Sequence, residues 1–358
     1  MKILMMNFLE SPENLHFEQA FIRALKGGES VSLDIVHDFQ FPCPFIEKLP
    51  PPRGRRIKYS NPAELKRELR SSYDMLVLLD FPKRKACADP FLRLLRSPAC
   101  AKKIFIANHL FPMPGHNSTA DIAGKLGLLS VLDQAFILEF DDPDLWCGLG
   151  LKADRILRRG YAVDCLYYSP AGLKEAAKLC DHAVPGSSVF SAGSTGRDFS
   201  VLARAVKNAG LTLNVFSDAE IPPFKADLRG LASVFPLSKN LHNLRQAVRE
   251  ARAVVIPIAD GHVNEAAGNS IAFISMACGK PVIVKRTPYM ERFIKDGENG
   301  FFYGSLSASN LLRQLKRVLS LDPAALRRLG EEARAAVLAK ASLDAFAAAF
   351  AAKFILKK

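Results

Sequence analysis

The sequence contains no apolar run long enough to cross a bilayer. Its apolar stretches, such as Met75–Leu79 and Ala253–Ala259, fall far short of the roughly 20 residues that a spanning helix needs. The opening MKILMMNFLESPEN has too short an apolar run for a secretory signal, and Glu10 and Glu13 follow it at once. No C-x-x-C spacing occurs. The seven cysteines (Cys43, Cys87, Cys100, Cys147, Cys165, Cys180 and Cys278) are odd in number and widely spaced, which argues against a disulfide framework or a zinc knuckle and for reduced, buried thiols. Helix-turn-helix, zinc-finger and RNP patterns are missing, as are internal repeats, so nucleic acid is not an expected partner. These absences predict a cytoplasmic globular protein.

At roughly 100–200 residues per domain, the 358 residues fit two domains. With 49% apolar and 24% charged residues, wholesale disorder is excluded. The net charge of +13, from 49 Lys and Arg against 36 Asp and Glu, suits polyanionic or phosphate-bearing partners.

Strand-like runs alternate with helical stretches. Lys2–Met6, Val31–Val36, Asp74–Asp80, Lys103–Ala107, Ala135–Glu139 and Cys165–Tyr168 read as strands, with a loop at Asn7–Asn14 and a helix around Phe17–Leu25. After Val184-Pro185-Gly186 the alternation restarts. Ser188–Ala192, Leu211–Phe216, Leu231–Phe235, Ala253–Pro257 and Pro281–Lys285 are strands there; Asp198–Ala209, Leu241–Ala251 and Ser270–Ala277 are helices. The pattern predicts an α/β protein of two Rossmann-like halves, residues 1–170 and 185–340, with a boundary in Ser169–Gly186 and a ligand cleft between the halves. Three helices close the chain, at Asn310–Leu319, Pro323–Lys340 and Leu343–Leu356; the last, within 341–358, is expected to pack back on the N-terminal domain.

The most informative stretch runs from Ala251 to Gly304. A buried strand ends at Pro257, and a loop with Gly261, His262, Asn264, Glu265, Gly268, Asn269 and Ser270 leads into a helix. Gly268 permits close backbone approach, and Asn269 or Ser270 can cap the helix. A helix N-terminus there would suit a diphosphate, although an ordinary loop–helix–strand unit would read the same way.

MACGKPVIV (Met276–Val284) and the D-G-x-N-G turn formed by Asp296, Gly297, Asn299 and Gly300 resemble the C-terminal domain of GT-B-fold glycosyltransferases of the group 1, family 4-like type. The resemblance is close over Val254–Val337 and only topological before Val184. It implies two Rossmann-like domains facing across a cleft, a nucleotide-sugar donor in the second domain, an acceptor in the first, and no metal or other cofactor. One departure stands out. Many retaining members carry two glutamates eight positions apart; Ala266 and Ile274 occupy those positions here, and Glu265 is followed eight later by Phe273.

The resemblance also assigns candidate residues. Donor binding falls to Gly193, Gly196 and Arg197 in FSAGSTGRDF (Phe190–Phe199), to Glu265, Gly268, Asn269 and Ser270, and to Glu291. Arg197 suits the phosphates because its planar fork pairs with phosphate oxygens. Asp198 beside it could cap a helix. The family's second cation is missing, with Lys225 and Lys239 as substitutes. His109, just past a strand in KKIFIANHLFP, is a candidate base or sugar ligand, and Asp80 is another candidate base or a turn cap. Asn7, Glu10 and Asn14 stand where the family has its acceptor loop, without its paired glycines. The segment DDPD (Asp141–Asp144) reads as a loop and helix start rather than a metal site.

Phe41–Arg56 is proline-rich and extended. Eight basic residues lie between Lys48 and Arg70 (Lys48, Arg53, Arg55, Arg56, Lys58, Lys66, Arg67 and Arg70), opposed by Glu64 and Glu68. Such a surface suits the inner face of an anionic membrane and a glycan or lipid-linked acceptor, or is simply solvated. The expected reaction is sugar transfer from a nucleoside-diphosphate sugar to an acceptor hydroxyl, in bacterial cell-envelope or surface glycan synthesis. A nucleotide-sugar epimerase or hydrolase on the same fold, or a non-catalytic binding protein, remain open alternatives.

Overall fold

A computed structural model describes residues 1–7, 12–26, 30–37, 46, 48–58, 63, 67, 72–79, 95–96, 100–107, 123–124, 127–170, 188–219, 230–261 and 266–356. The chain divides into two compact units. One comprises Met1–Tyr161 with Leu343–Lys358, the other Ala162–Ser342. The first exchange between them therefore falls at Tyr161/Ala162, ahead of the Ser169–Gly186 stretch.

Among the described residues, the first unit holds a seven-stranded sheet in the order β3-β2-β1-β4-β5-β6-β7. The strands are β1 (Lys2–Asn7), β2 (Ser32–His37), β3 (Arg56–Lys58), β4 (Tyr73–Leu78), β5 (Cys100–Ile106), β6 (Gln134–Leu138) and β7 (Ile156–Arg159). All pair in parallel. β1 is buried from Ile3 onward, as a strand covered on both faces must be, which is why its sequence is a continuous apolar run rather than an alternating one. Helix α1 (Pro12–Leu25) follows it, with proline at its first position.

The second unit repeats the plan with β8 (Ser188–Ala192), β9 (Thr212–Phe216), β10 (Ala232–Phe235), β11 (Ala253–Val255), β12 (Val282–Lys285) and β13 (Phe301–Tyr303), in the order β10-β9-β8-β11-β12-β13. Helices α2 (Phe199–Asn208), α3 (Asn269–Ala277), α4 (Ala308–Leu319) and α5 (Pro323–Lys340) belong to it. Its core joins Val189, Val215, Val255, Ile283, Phe301 and Tyr303 to Leu202, Val206, Leu311 and Leu315 from α2 and α4. The D-G-x-N-G turn is structural. Asp296 accepts the Phe302 N–H (2.7 Å) and pairs with Arg317 (2.9 Å), while Asn299 accepts from Lys295 N–H (2.7 Å) and donates to Phe293 O (3.0 Å).

The last helix, α6 (Leu343–Phe354), belongs to the first unit. It packs on α1 through Phe350 against Phe21 (ring centroids 5.0 Å) and Phe346 against Phe17 (5.7 Å), and a two-pronged Arg23–Asp344 pair (2.6 and 3.0 Å) fixes its start. Among the described residues no helix is long and apolar enough to cross a membrane.

Three local expectations are corrected. Cys165–Tyr168 is a turn, not a strand: the Asp164 carboxylate accepts the N–H of Leu166 and Tyr167 (3.0 Å each) and bends the chain there. The outer strand is instead Ile156–Arg159. Arg56, read as the end of an extended loop, begins the edge strand β3. Asn7–Asn14 is not one loop, because Asn7 ends β1 and Asn14 lies inside α1.

Candidate functional site

In the second unit β8 runs on to β9 and β10 on one side, while β11 lies on the other. Open α/β sheets bind ligands at the carboxyl ends of the strands flanking this reversal. The loops that follow β8 and β11 meet there. Arg197 bridges to Ile258, Ala259 N–H donates to Gly196 O (2.9 Å), and Asp198 N–H donates to Pro257 O (3.0 Å). Tyr303, at the end of β13, locks the second loop: its hydroxyl receives the Ile258 N–H and donates to Ile256 O, both at 2.7 Å. Burial pushes its phenol pKa up, so it stays a neutral donor.

Arg197 sits at the junction. Its Nη1 donates to Thr195 O (2.7 Å) and its Nε to Ala192 O (3.4 Å). The guanidinium lies over two glycines with left-handed backbones, Gly193 (φ 111°) and Gly268 (φ 95°). A Cβ at Gly193 would stand 2.7 Å from Arg197 Nη2, and one at Gly268 2.6 Å from Ile256 Cγ2 and 3.4 Å from Nη2. Gly268 therefore needs glycine for space as well as for φ, and Gly193 for φ, since a Cβ there would displace the Arg197 guanidinium. Among the described residues no carboxylate pairs with Arg197. Burial lowers its pKa to about 10, which leaves it charged at neutral pH. Asp198 caps α2 by accepting the Val201 N–H (3.0 Å), so its carboxylate is spent on the helix.

Helix α3 starts beside this guanidinium. Its N-cap is Gly268, with no side-chain cap bond. Asn269 and Ser270 are thus the first helical residues rather than caps. The Asn269 N–H donates to Ala266 O (3.2 Å), and the start of the helix keeps its partial positive charge.

The remaining donor-side candidates scatter. Glu291 ends the short helix Pro288–Glu291 and pairs with Arg286 (2.6 Å) on the surface. Lys239 is exposed in Leu237–Asn240. Glu265, His262, Asn264 and Lys225 lie outside the described residues. A cation that sequence reasoning missed is Lys285, at the carboxyl end of β12, 3.5 Å from Asp260 in the loop after β11. Its position at the end of PVIVK was the available signal.

In the first unit the reversal falls between β1 and β4. Asn7 closes β1 and is fully buried. Its Nδ2 donates to Glu18 Oε2 (3.1 Å). Glu18 is itself buried in α1 and ion-pairs with Arg56. Arg56 also donates to His37 Nε2 (2.9 Å) and Leu49 O (2.7 Å). A guanidinium has no acceptor, so His37 must accept at Nε2 and carry its proton on Nδ1. Burial, with the Arg56 and Lys48 charges, pushes the His37 pKa down to about 3 and keeps it neutral. Burial raises the Glu18 pKa, while Arg56 and Asn7 oppose the shift. Sequence reasoning singled out Asn7 but missed Glu18 and His37. The signal for Glu18 was a carboxylate set among Phe17, Ala20 and Phe21 in a helix buried nearly all round.

Asn14 is buried in α1. Asp80, His109 and Glu10 lie outside the described residues, as do Lys66 and Arg70. Arg56 spends its charge on Glu18, which takes one cation out of the basic Lys48–Arg70 stretch. Of DDPD, Asp142 caps the helix Pro143–Gly148 by accepting the Asp144 N–H (2.9 Å). Among the described residues no group of three or more His, Cys, Asp or Glu converges to hold a metal ion.

Residues 202–352 match the family described as glycosyl transferase-like. No curated protein matches the sequence. Solved structures resemble the whole chain. HepE of Anabaena, in complex with UDP and glucose, is 12% identical with a TM-score of 0.63, covering 100% of both chains. A glycosyltransferase from Rickettsia africae is 16% identical with a TM-score of 0.66, covering 100% of this chain and 99% of that one. WaaG, a glycosyltransferase involved in lipopolysaccharide biosynthesis, is 14% identical with a TM-score of 0.59, covering 100% of both. The chain has the two-domain GT-B fold of glycosyltransferases, and its C-terminal part is glycosyl transferase-like in sequence.

Proposed function

We propose that the protein is a glycosyltransferase that moves a sugar from a nucleoside-diphosphate sugar, bound by the second unit, to an acceptor hydroxyl presented by the first. The observation that carries this reading is the Arg197 guanidinium. It is partly buried at the strand-order reversal, donates among the described residues to backbone carbonyls with no carboxylate beside it, and stands near the start of α3, whose N-cap Gly268 makes no side-chain cap bond. A desolvated cation without a counter-charge is costly unless an anion arrives. A diphosphate supplies one, and a helix N-terminus adds N–H donors to it.

In this reading Arg197 and the first turn of α3 stabilise the charge that develops on the departing diphosphate. That role needs no metal and no cofactor beyond the donor. Gly193, Gly196 and Gly268 let the backbone approach the phosphates, with Asn269, Ser270, Glu265 and Glu291 as further donor contacts. His109, three residues after β5 in the chain, is the proposed base for the acceptor hydroxyl, with Asp80, two residues after β4, as the other candidate. Asn7, Glu10 and Asn14 are proposed on the acceptor side. A hexosyl donor, a glycan or lipid-linked acceptor, an inner-membrane surface contacted by Lys48–Arg70 and a role in cell-envelope glycan synthesis complete the proposal. HepE was crystallised with UDP, which makes uridine the first base to try.

The test is thermal-shift binding against a panel of nucleoside diphosphates and their sugar conjugates, with Arg197→Ala as control. Ligand at one hundred times Kd raises stability by about 2.7 kcal/mol. A shift with one base, lost in Arg197→Ala, supports the donor site; no shift with any nucleotide at millimolar concentration contradicts it.

A further inference from the structure

The amino-terminal edge of the second sheet, at the far end of the strands from Arg197, gathers positive charge. The β11–β12 register pairs Val254 with Val282, and Arg252 and Lys280 each stand two residues ahead of that pair. Arg245 and Arg249 lie four apart in the helix Leu244–Glu250, which ends just before β11, so they share one of its faces. Arg334 reaches in from α5 to the end of α3. The charges of Arg249, Lys280, Arg245 and Arg334 all bear on the buried Cys278 thiol, and those of Arg249 and Arg252 bear on Lys280.

Three of these five cations have work within the fold. Arg334 donates to Ala277 O (2.6 Å) and Cys165 O (3.1 Å). Arg252 donates to Val318 O and Leu321 O (3.4 Å each), at the end of α4. Arg245 donates to Tyr167 O (3.0 Å) and lies over the Tyr167 ring. Cations at helix C-termini are an ordinary use of such side chains. Lys280 and Arg249 have no such work. Both are half-buried, and among the described residues neither side chain makes a hydrogen bond or an ion pair. Glu250, the carboxylate that bears on Lys280, accepts from Gln246. Burial pulls the Lys280 pKa down, and Arg249 and Arg252 add to the shift. Like charges held together in partial burial repel, and an anion between them turns the repulsion into attraction.

We propose that Lys280 and Arg249 form a second anion site, separate from the donor site, which takes a terminal phosphate group at the amino-terminal edge of the second sheet, with Arg252 and Arg245 supplying the surrounding positive field. A terminal phosphate is the fitting chemistry because it carries about two negative charges at neutral pH. It can accept from a lysine point charge and an arginine fork at once. The group can belong to free phosphate or to a phosphatidic-acid headgroup. Leu166 is exposed in the turn whose Cys165 and Tyr167 carbonyls Arg334 and Arg245 hold, and it offers the second source an apolar contact. The site does not depend on the transferase reading.

Two measurements on the full chain test it, both in an Arg197→Ala background that removes the proposed donor site. The first titrates inorganic phosphate and follows the thermal midpoint. The second measures co-sedimentation with phosphatidylcholine vesicles, with and without phosphatidic acid. Each is repeated with Lys280→Gln and with Arg249→Gln. These residues stand on different elements, so either variant carries the test should the other not fold. If free phosphate is the ligand, it raises the midpoint saturably, and each substitution weakens binding about tenfold. If the headgroup is the ligand, phosphate leaves the midpoint unmoved, whereas vesicle binding requires phosphatidic acid and falls by a similar factor in both variants. In phosphate-free buffer the variants should melt no lower than their parent, because a repulsion has been removed. Variants that melt lower and bind like their parent would mark the two cations as structural and overturn the proposal. A midpoint rise of equal size in parent and variants would be a general salt effect and would overturn it too. The same holds for vesicle binding that both substitutions leave intact, and for a parent that responds to neither phosphate nor phosphatidic acid.

Discussion

The two units repeat one sheet plan but treat an arginine at the strand edge in opposite ways. In the first, Arg56 is matched by the buried Glu18 carboxylate and shared with His37. In the second, Arg197 donates, among the described residues, to backbone carbonyls and pairs with no carboxylate. Among the described residues the first edge is electrically closed, whereas the second is electrically open and asks for an anion. A common topology thus places an arginine at each edge, and among the described residues one carboxylate distinguishes the two.

Substitutions can break that contrast. The largest effect is expected from Arg197→Ala. Nucleoside diphosphate binding should weaken more than 100-fold, about 3 kcal/mol, while stability moves by no more than about 1 kcal/mol, because the substitution takes a donor from two backbone carbonyls but leaves no buried charge unpaired. Calorimetry and urea denaturation check the two halves. Glu18→Ala should do the reverse. It strips Arg56 and Asn7 Nδ2 of their acceptor and should cost about 3 kcal/mol of stability by urea denaturation, with nucleotide affinity unchanged. Gly268→Ala forces a Cβ against Ile256 at a left-handed φ, which should cost about 2 kcal/mol and weaken nucleotide binding as Arg197 is displaced.

The smallest effect is electrostatic. Burial raises the Asp141 carboxyl, beyond the end of β6, from 3.8 to about 6, against the pull of Arg159 and Arg158. The folded chain therefore holds this proton more tightly than the unfolded chain does. Its contribution to stability is present at low pH and is lost as pH rises from about 4 to about 6. Asp141→Asn should remove about 1 kcal/mol or more of that slope, read by denaturation midpoints across the window.

Much of this architecture was legible in the sequence. Strands buried on both faces are continuous apolar runs, and SVFSA matched β8 to the residue. The loop carrying Arg197 was legible through its glycines and the resemblance. What escaped was polar and tertiary. The RIK edge strand (Arg56–Lys58) looked like loop because it follows prolines and is basic. The outer strand Ile156–Arg159 was hidden by its arginines, and the aromatic run Cys165–Tyr168 imitated a strand that Asp164 in fact turns. Glu18 and His37 acquire meaning only through Arg56, far away in the chain. That Gly268, not Asn269 or Ser270, caps α3 depends on a backbone angle that the sequence allows but does not demand.

The most direct test of the open edge is a calorimetric titration of UDP, and of the other nucleoside diphosphates, into wild type and Arg197→Ala. Saturable binding of one nucleotide to wild type, abolished in an Arg197→Ala protein of unchanged stability, is the predicted result. Equal binding to both proteins, or to neither, would contradict an anion site built around Arg197.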